Sequence, residues 1–151
     1  MFRAVIGLLT LAAVACAPGT DATPKAGSAM PSTVVDPYLK IQSTLAQDSV
    51  EGVRANAGQI ATAATALGAP AMKIDTAAVQ LASATELEDA RTKFATLSEA
   101  IVTYVDGLHL TLPEGVRVAT CPMLHKPWLQ EGSDVANPYY GKSMLTCGDF
   151  R

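Results

Sequence analysis

The chain has little of what active sites and nucleic-acid grooves are usually built from. Charged residues make up 17% and aromatics 5% of its 151 residues, with two histidines and three cysteines. The formal net charge is −3 and no lysine or arginine cluster occurs, so the electrostatic footprint of a nucleic-acid binder is missing. No G-x-S-x-G, H-E-x-x-H, P-loop or Rossmann pattern is present. The acids Glu86, Glu88, Asp89 and Glu99 read as exposed helix faces or caps. Cys121 and His125 lie too close in sequence for a Cys–His protease, and no third orienting group is evident. The expectation is therefore a protein that is not an enzyme.

What is there begins with an export signal. Arg3 is a short basic lead, and Val5 to Val14 is an apolar run too short to cross a bilayer but right for a signal peptide. Ala13-Val14-Ala15-Cys16 places small residues before a cysteine and resembles a bacterial lipobox, with Ala13 where leucine is usual. The expected organisation is a signal peptide over 1–15, then a lipidated Cys16 with a flexible tether over 16–35, and a domain over 36–151. The tether reading rests on the Ala, Pro, Gly, Ser and Thr of Ala17 to Val35. The expected location is the cell envelope, as a periplasm-facing lipoprotein held to the membrane by lipid on Cys16. Ordinary signal cleavage and secretion is the alternative.

Beyond the tether, the pattern turns helical. Asp36-Pro37 reads as a cap and first helical residue, with Tyr38, Ile41 and Leu45 on one face. Asp48-Ser49-Val50-Glu51 reads as a capping box, and Val50, Val53, Ala57, Ile60, Ala64 and Leu67 follow at spacings of three and four. Gly68 and Pro70 should stop that helix. Asp75 caps a third, shorter one through Ala78 and Leu81. Thr85-Glu86-Leu87-Glu88 opens the longest seam, Leu87, Ala90, Phe94, Leu97, Ile101 and Val105, which Gly107 closes. The predicted fold class is all-α: a small antiparallel bundle of about four helices with a loop-rich Cys/Met module over 108–151. Within that module Val116 and Val118 suggest a brief strand running into Cys121, and a helical turn is expected near Trp128.

The chemistry-bearing residues gather in the module. Cys121, Met123 and His125 alternate, so an extended segment would point a thiolate, a thioether and an imidazole to one side. Met144 and Cys147 are three apart, and one helical turn would bring them together. These are soft and borderline donors that suit copper(I), which accepts few ligands; zinc prefers four without methionine. The same cysteines could close a disulfide, a loop of roughly 27 residues worth about 3 kcal/mol in the chain-entropy account. Both readings stay open. Trp128, Tyr139 and Tyr140 read as the module's own core, with a cation–π shield over copper(I) or a partner patch as the functional alternative. His109, alone after the last helix, reads as solvated or capping.

One resemblance runs through these residues. Cys121-Pro122-Met123, Trp128-Leu129, Asn137-Pro138-Tyr139-Tyr140-Gly141 and Met144-Leu145-x-Cys147-Gly148 together resemble an exported bacterial domain of unknown function. That domain also occurs fused to periplasmic adaptor subunits of copper/silver-type efflux pumps. The resemblance covers about Pro37 to Phe150, and its specific part is the C-terminal motif. It implies an all-helical domain with a Cys/Met module and a heavy-metal role, with efflux or cuproprotein assembly components as partners. The short loop between Met123 and Trp128 departs from the family's longer polar loops, so His125 as a ligand rests on this sequence alone.

Overall fold

The computed structural model describes residues 23–151. Four helices make up the first part: α1 (Ser32–Ala46), α2 (Val53–Ala66), α3 (Met72–Ala82) and α4 (Leu87–Gly107). Each packs on the next in chain order. Most of the predicted seams are buried: Tyr38, Ile41 and Leu45 of α1, Ala57, Ile60 and Ala64 of α2, Phe94, Leu97 and Ile101 of α4 are all sealed from solvent, whereas Val50 lies ahead of α2 and is exposed and Leu87 is half-buried. Alanines at these contacts let the helices approach closely, and apolar burial of this kind is the main favourable term in folding. Among the described residues no helix is long and apolar enough to cross a membrane.

The helix starts differ from expectation. α1 begins at Ser32, because Val34 and Val35 are buried and extend its apolar face by a turn. Pro37 therefore lies inside the helix, giving up one backbone hydrogen bond while being buried itself. The packed fold thus starts ahead of residue 36. Met30 is buried, and Ala29 bridges Thr111 beyond α4. The cap of α2 is Gly52 in the left-handed conformation rather than the Asp48 box. α3 starts before Asp75, which sits in its first turn.

The all-α prediction is wrong. A three-stranded antiparallel sheet, β1 (Val116–Cys121), β2 (Lys126–Glu131) and β3 (Asp149–Phe150), follows the helices, with order β2-β1-β3, so the domain is mixed α and β. The expected strand at Val116 and Val118 is β1, but Trp128 lies in β2, not in a helical turn. A physical reason hid β2. Its Trp128, Leu129 and Gln130 are all buried, so the polar alternation of a half-exposed strand is absent. β2 packs against α4 and α1. The Leu129 N–H donates to the Tyr38 hydroxyl of α1 at 3.1 Å, which satisfies an outer-edge donor that β1 cannot reach.

The two parts share one core through four rings. Tyr38 of α1 stacks on Phe94 of α4 with centroids 4.9 Å apart. Phe94 meets Tyr139 at 6.2 Å, and Tyr139 meets the Trp128 ring edge-on at 5.7 Å. Tyr38 also shares a 2.6 Å hydrogen bond with Ser98 of α4, which keeps its buried hydroxyl partnered.

Candidate functional site

The site region is the end of the sheet where β1 stops. Cys121 is the last residue of β1 and is fully buried. Residues 122–125 then form a turn instead of an extended segment, closed by the His125 N–H donating to the Cys121 carbonyl at 2.8 Å. The alternation expected to align Cys121, Met123 and His125 is therefore not realised. Met123 is 61% exposed at the turn, and His125 is exposed with a positive φ of 52°. The two-residue period holds only along a strand, and the hairpin reverses the chain at Pro122.

The second segment returns to the same place. Thr120 pairs with Asp149 and Ala119 with Phe150. That pairing brings the segment just before β3, Cys147 and Gly148, back to the end of β1 that carries Cys121. Cys147 and Met144 are half-buried, and the Cys147 N–H donates to the Met144 carbonyl at 3.0 Å, so the spacing of three does form a turn. Cys121 and Cys147 are both free thiols. Among the described residues no group of three His, Cys, Asp or Glu side chains converges. Cys16 and the signal peptide lie outside the described residues.

The motif residues of the module are held by packing and hydrogen bonds. Asn137 is fully buried. Its Nδ2 donates to the Cys147 carbonyl at 2.7 Å, and its Oδ1 accepts the Tyr139 N–H at 2.8 Å. Its backbone N–H reaches the Leu145 carbonyl at 2.7 Å. One side chain thus ties the start of this loop to the cysteine at its end. Gln130 of β2 does similar work: it accepts the Trp128 indole N–H and the Ala136 N–H, and donates to the Asp134 carbonyl. Gln42, on the sheet side of α1, donates to the Ala136 carbonyl at 2.6 Å.

Two glycines complete the arrangement. A Cβ on Gly148 would stand 2.5 Å from the Trp128 ring, so the strand passes the indole only without a side chain. Gly141 has a φ of 54°, and a Cβ there would run into Asp48 and Arg91. Those two form an ion pair at 2.5 Å, and Arg91 also donates to the carbonyls of Leu45 and Pro138. The Arg91 hydrogen bond holds the Asp48 carboxyl below its usual range. This clamp between α1, α4 and the loop was not foreseen, because Asp48 and Arg91 look like ordinary surface charges. The available hint was the turn-forming Asn137-Pro138 beside a glycine.

The buried tyrosines remain protonated. Burial drives both Tyr38 and Tyr139 far above the ordinary phenol range. For Tyr139 the negative charge that Cys121 would carry as a thiolate acts in the same direction, after burial and Tyr38. Its hydroxyl donates to the Pro127 carbonyl at 2.5 Å. His109, with a positive φ of 51°, is exposed just after α4.

Beside the hairpin lies a cleft of about 310 Å³, lined among others by Arg91, Ala95, Leu124, Lys126 and Tyr140. Leu124 is 41% exposed at its rim. No family model, curated protein or solved structure matches the chain.

Proposed function

We propose that the protein is an exported, lipid-anchored domain that binds copper(I) through Cys121 and Cys147. It acts as a carrier or sensor in metal efflux or delivery, with efflux or cuproprotein assembly components as partners. What supports the reading is that β3, by pairing Asp149 with Thr120, brings the segment that carries Cys147 back to the end of β1 that carries Cys121. Two thiolates suit copper(I), which accepts two or three soft donors, and Met144 beside Cys147 supplies a thioether. Zinc would need two more donors of its own kind. Met123 and His125 belong to this reading as the exposed residues that receive or pass on the ion.

The test is native mass spectrometry of the purified protein with and without reductant. Reduced protein titrated anaerobically should take up one copper(I), and both thiols should then resist alkylation, because only free thiolates bind. Uptake should weaken on acidification, since protons compete for the thiolates. A reduced protein with no adduct and no thiol protection at stoichiometric copper(I) ends this reading.

A second reading is a disulfide-stabilised envelope lipoprotein that binds another protein. The exposed Met123 and Leu124 at the hairpin tip, next to the cleft bordered by Tyr140, favour it. It predicts that the oxidised protein lacks the mass of two hydrogens. Reduction would then lower the melting temperature, and copper(I) would not restore it.

A further inference from the structure

We infer that a cleft between α1 and the loop after β2 binds a short peptide with free ends, about three residues long. This site is independent of the metal reading. The cleft has a volume of about 390 Å³, within the range of roughly 300–1,000 Å³ usual for ligand sites. Gln42 of α1 lines it and is only 5% exposed. The Gln42 Nε2 donates to the Ala136 carbonyl at 2.6 Å, which fixes the orientation of the amide. Its Oε1 has no hydrogen-bond partner among the described residues. The side-chain atoms that are both sealed and unpartnered there are those of Ser28 and Tyr104, so the Gln42 oxygen is not sealed and opens on the cleft. The neighbouring Gln130 amide is committed to Trp128, Asp134 and Ala136 and does not serve it. A nearly buried acceptor without a donor is unfavourable, and an N–H entering the cleft would satisfy it. Leu39, Ala46 and Leu145 supply apolar wall around that point.

Charges at the rim give the cleft a direction. Along α1 it runs from Leu39 to Ala46, about 10 Å of helix. Glu131 stands toward the start of α1, since it also lines an adjoining cleft with Asp36 and Lys40. Asp134 lies on the loop that leaves that strand and lines the cleft too. Lys142 stands toward the other end, where its backbone N–H donates to Asp48 just past α1. The Asp48 charge is itself met by Arg91. Glu131, Asp134 and Lys142 are exposed, and none forms an ion pair among the described residues. Acids at one end, an ammonium at the other and a neutral acceptor between them complement a zwitterion with an N–H in its middle. A peptide with free ends has that pattern. Its ammonium would meet Glu131 and Asp134, its carboxylate Lys142, and an inner amide N–H the Gln42 oxygen. An extended chain spans about 3.4 Å per residue, so three residues match the length of the cleft, whereas one amino acid reaches a single end.

The test titrates the full chain with trialanine, N-acetyl-trialanine, trialanine amide and free alanine by calorimetry, with backbone NMR shifts to locate the site. Trialanine should bind at one equivalent and shift the amide signals of Gln42, Ala136 and Lys142. Either cap should weaken it several-fold, and free alanine should bind far more weakly. Lys142→Gln should weaken trialanine several-fold yet make no difference to the amidated peptide, which has no carboxylate to lose. Glu131→Gln should weaken trialanine but not the acetylated peptide. Both positions are exposed, so both variants should keep the natural fold, and a purely structural role would not couple each residue to one end of the peptide. No binding at millimolar trialanine, or shifts confined to residues away from the cleft, overturns the proposal. Equal affinity for capped and uncapped peptides overturns the recognition of free ends. Equal affinity for free alanine overturns the length.

Discussion

The helices and the sheet module hold together by different means. In α2 and α4 the buried positions are alanine, valine, isoleucine, leucine and phenylalanine, with Ser98 and Tyr104 as the buried side chains that carry a hydroxyl. Such packing is non-directional, and many apolar side chains of similar volume can supply it. The module has few aliphatic side chains to bury. It is organised by buried amides, Asn137 and Gln130, by Trp128 and Tyr139, and by two glycines that leave no room for a Cβ. Directional hydrogen bonds and close backbone approach fix identity more narrowly than oil-like burial does. The module should therefore be the part where isosteric changes fail and the helices the part where they are absorbed.

The largest break in that comparison should come from Asn137→Leu. The branched shape is kept, though leucine is larger, and the Cys147 carbonyl and the Tyr139 N–H lose their partners. At about 1–3 kcal/mol for each of the two buried groups left unsatisfied, the loss should be roughly 2–6 kcal/mol. An equally conservative change in the helices, Ile60→Val, should cost only about 0.5–1.5 kcal/mol. Urea denaturation of both variants measures the contrast, and equal losses would mean that the module is no more exacting than the bundle.

A smaller effect is expected from Gly148→Ala. One methyl group meets the Trp128 ring at 2.5 Å, and overpacking of this kind costs about 1–3 kcal/mol. The variant's tryptophan emission should shift as the indole is displaced. A variant as stable as the natural protein, with unchanged emission, would show that the ring has room to move.

The smallest effect concerns the Asp48–Arg91 clamp that joins the two regions. The Asp48 pKa is lowered in the folded state, chiefly by its hydrogen bond to Arg91. Its contribution is therefore present above the ordinary carboxylate range and lost as the pH falls through the lower folded-state value. Asp48→Asn should lower the melting temperature slightly near neutral pH and make no difference in strong acid. A difference that persisted unchanged into strong acid would assign the effect to packing instead of charge.

The helices were legible because an amphipathic seam is a local property: spacings of three and four among Leu87, Ala90, Phe94, Leu97, Ile101 and Val105 identify a buried face without reference to anything else. Their starts were less legible, since Val34 and Val35 extend α1 through contacts that capping residues do not encode. β2 was hidden by burial of consecutive residues. The strand alternation expected through Cys121, Met123 and His125 stops at Pro122, where the chain turns.

The sequence by itself determined most of the apolar seams and the strand leading into Cys121, because each is written in residues near one another along the chain. Only the tertiary structure decided that the segment of Cys147 and Gly148 returns to the end of β1 and that Met123 and His125 are exposed. It alone brought Asp48, Arg91 and Gly141 together from three separate segments. Strand register and loop docking depend on surfaces that exist only after α1 and α4 have packed, and no local pattern of residues specifies them.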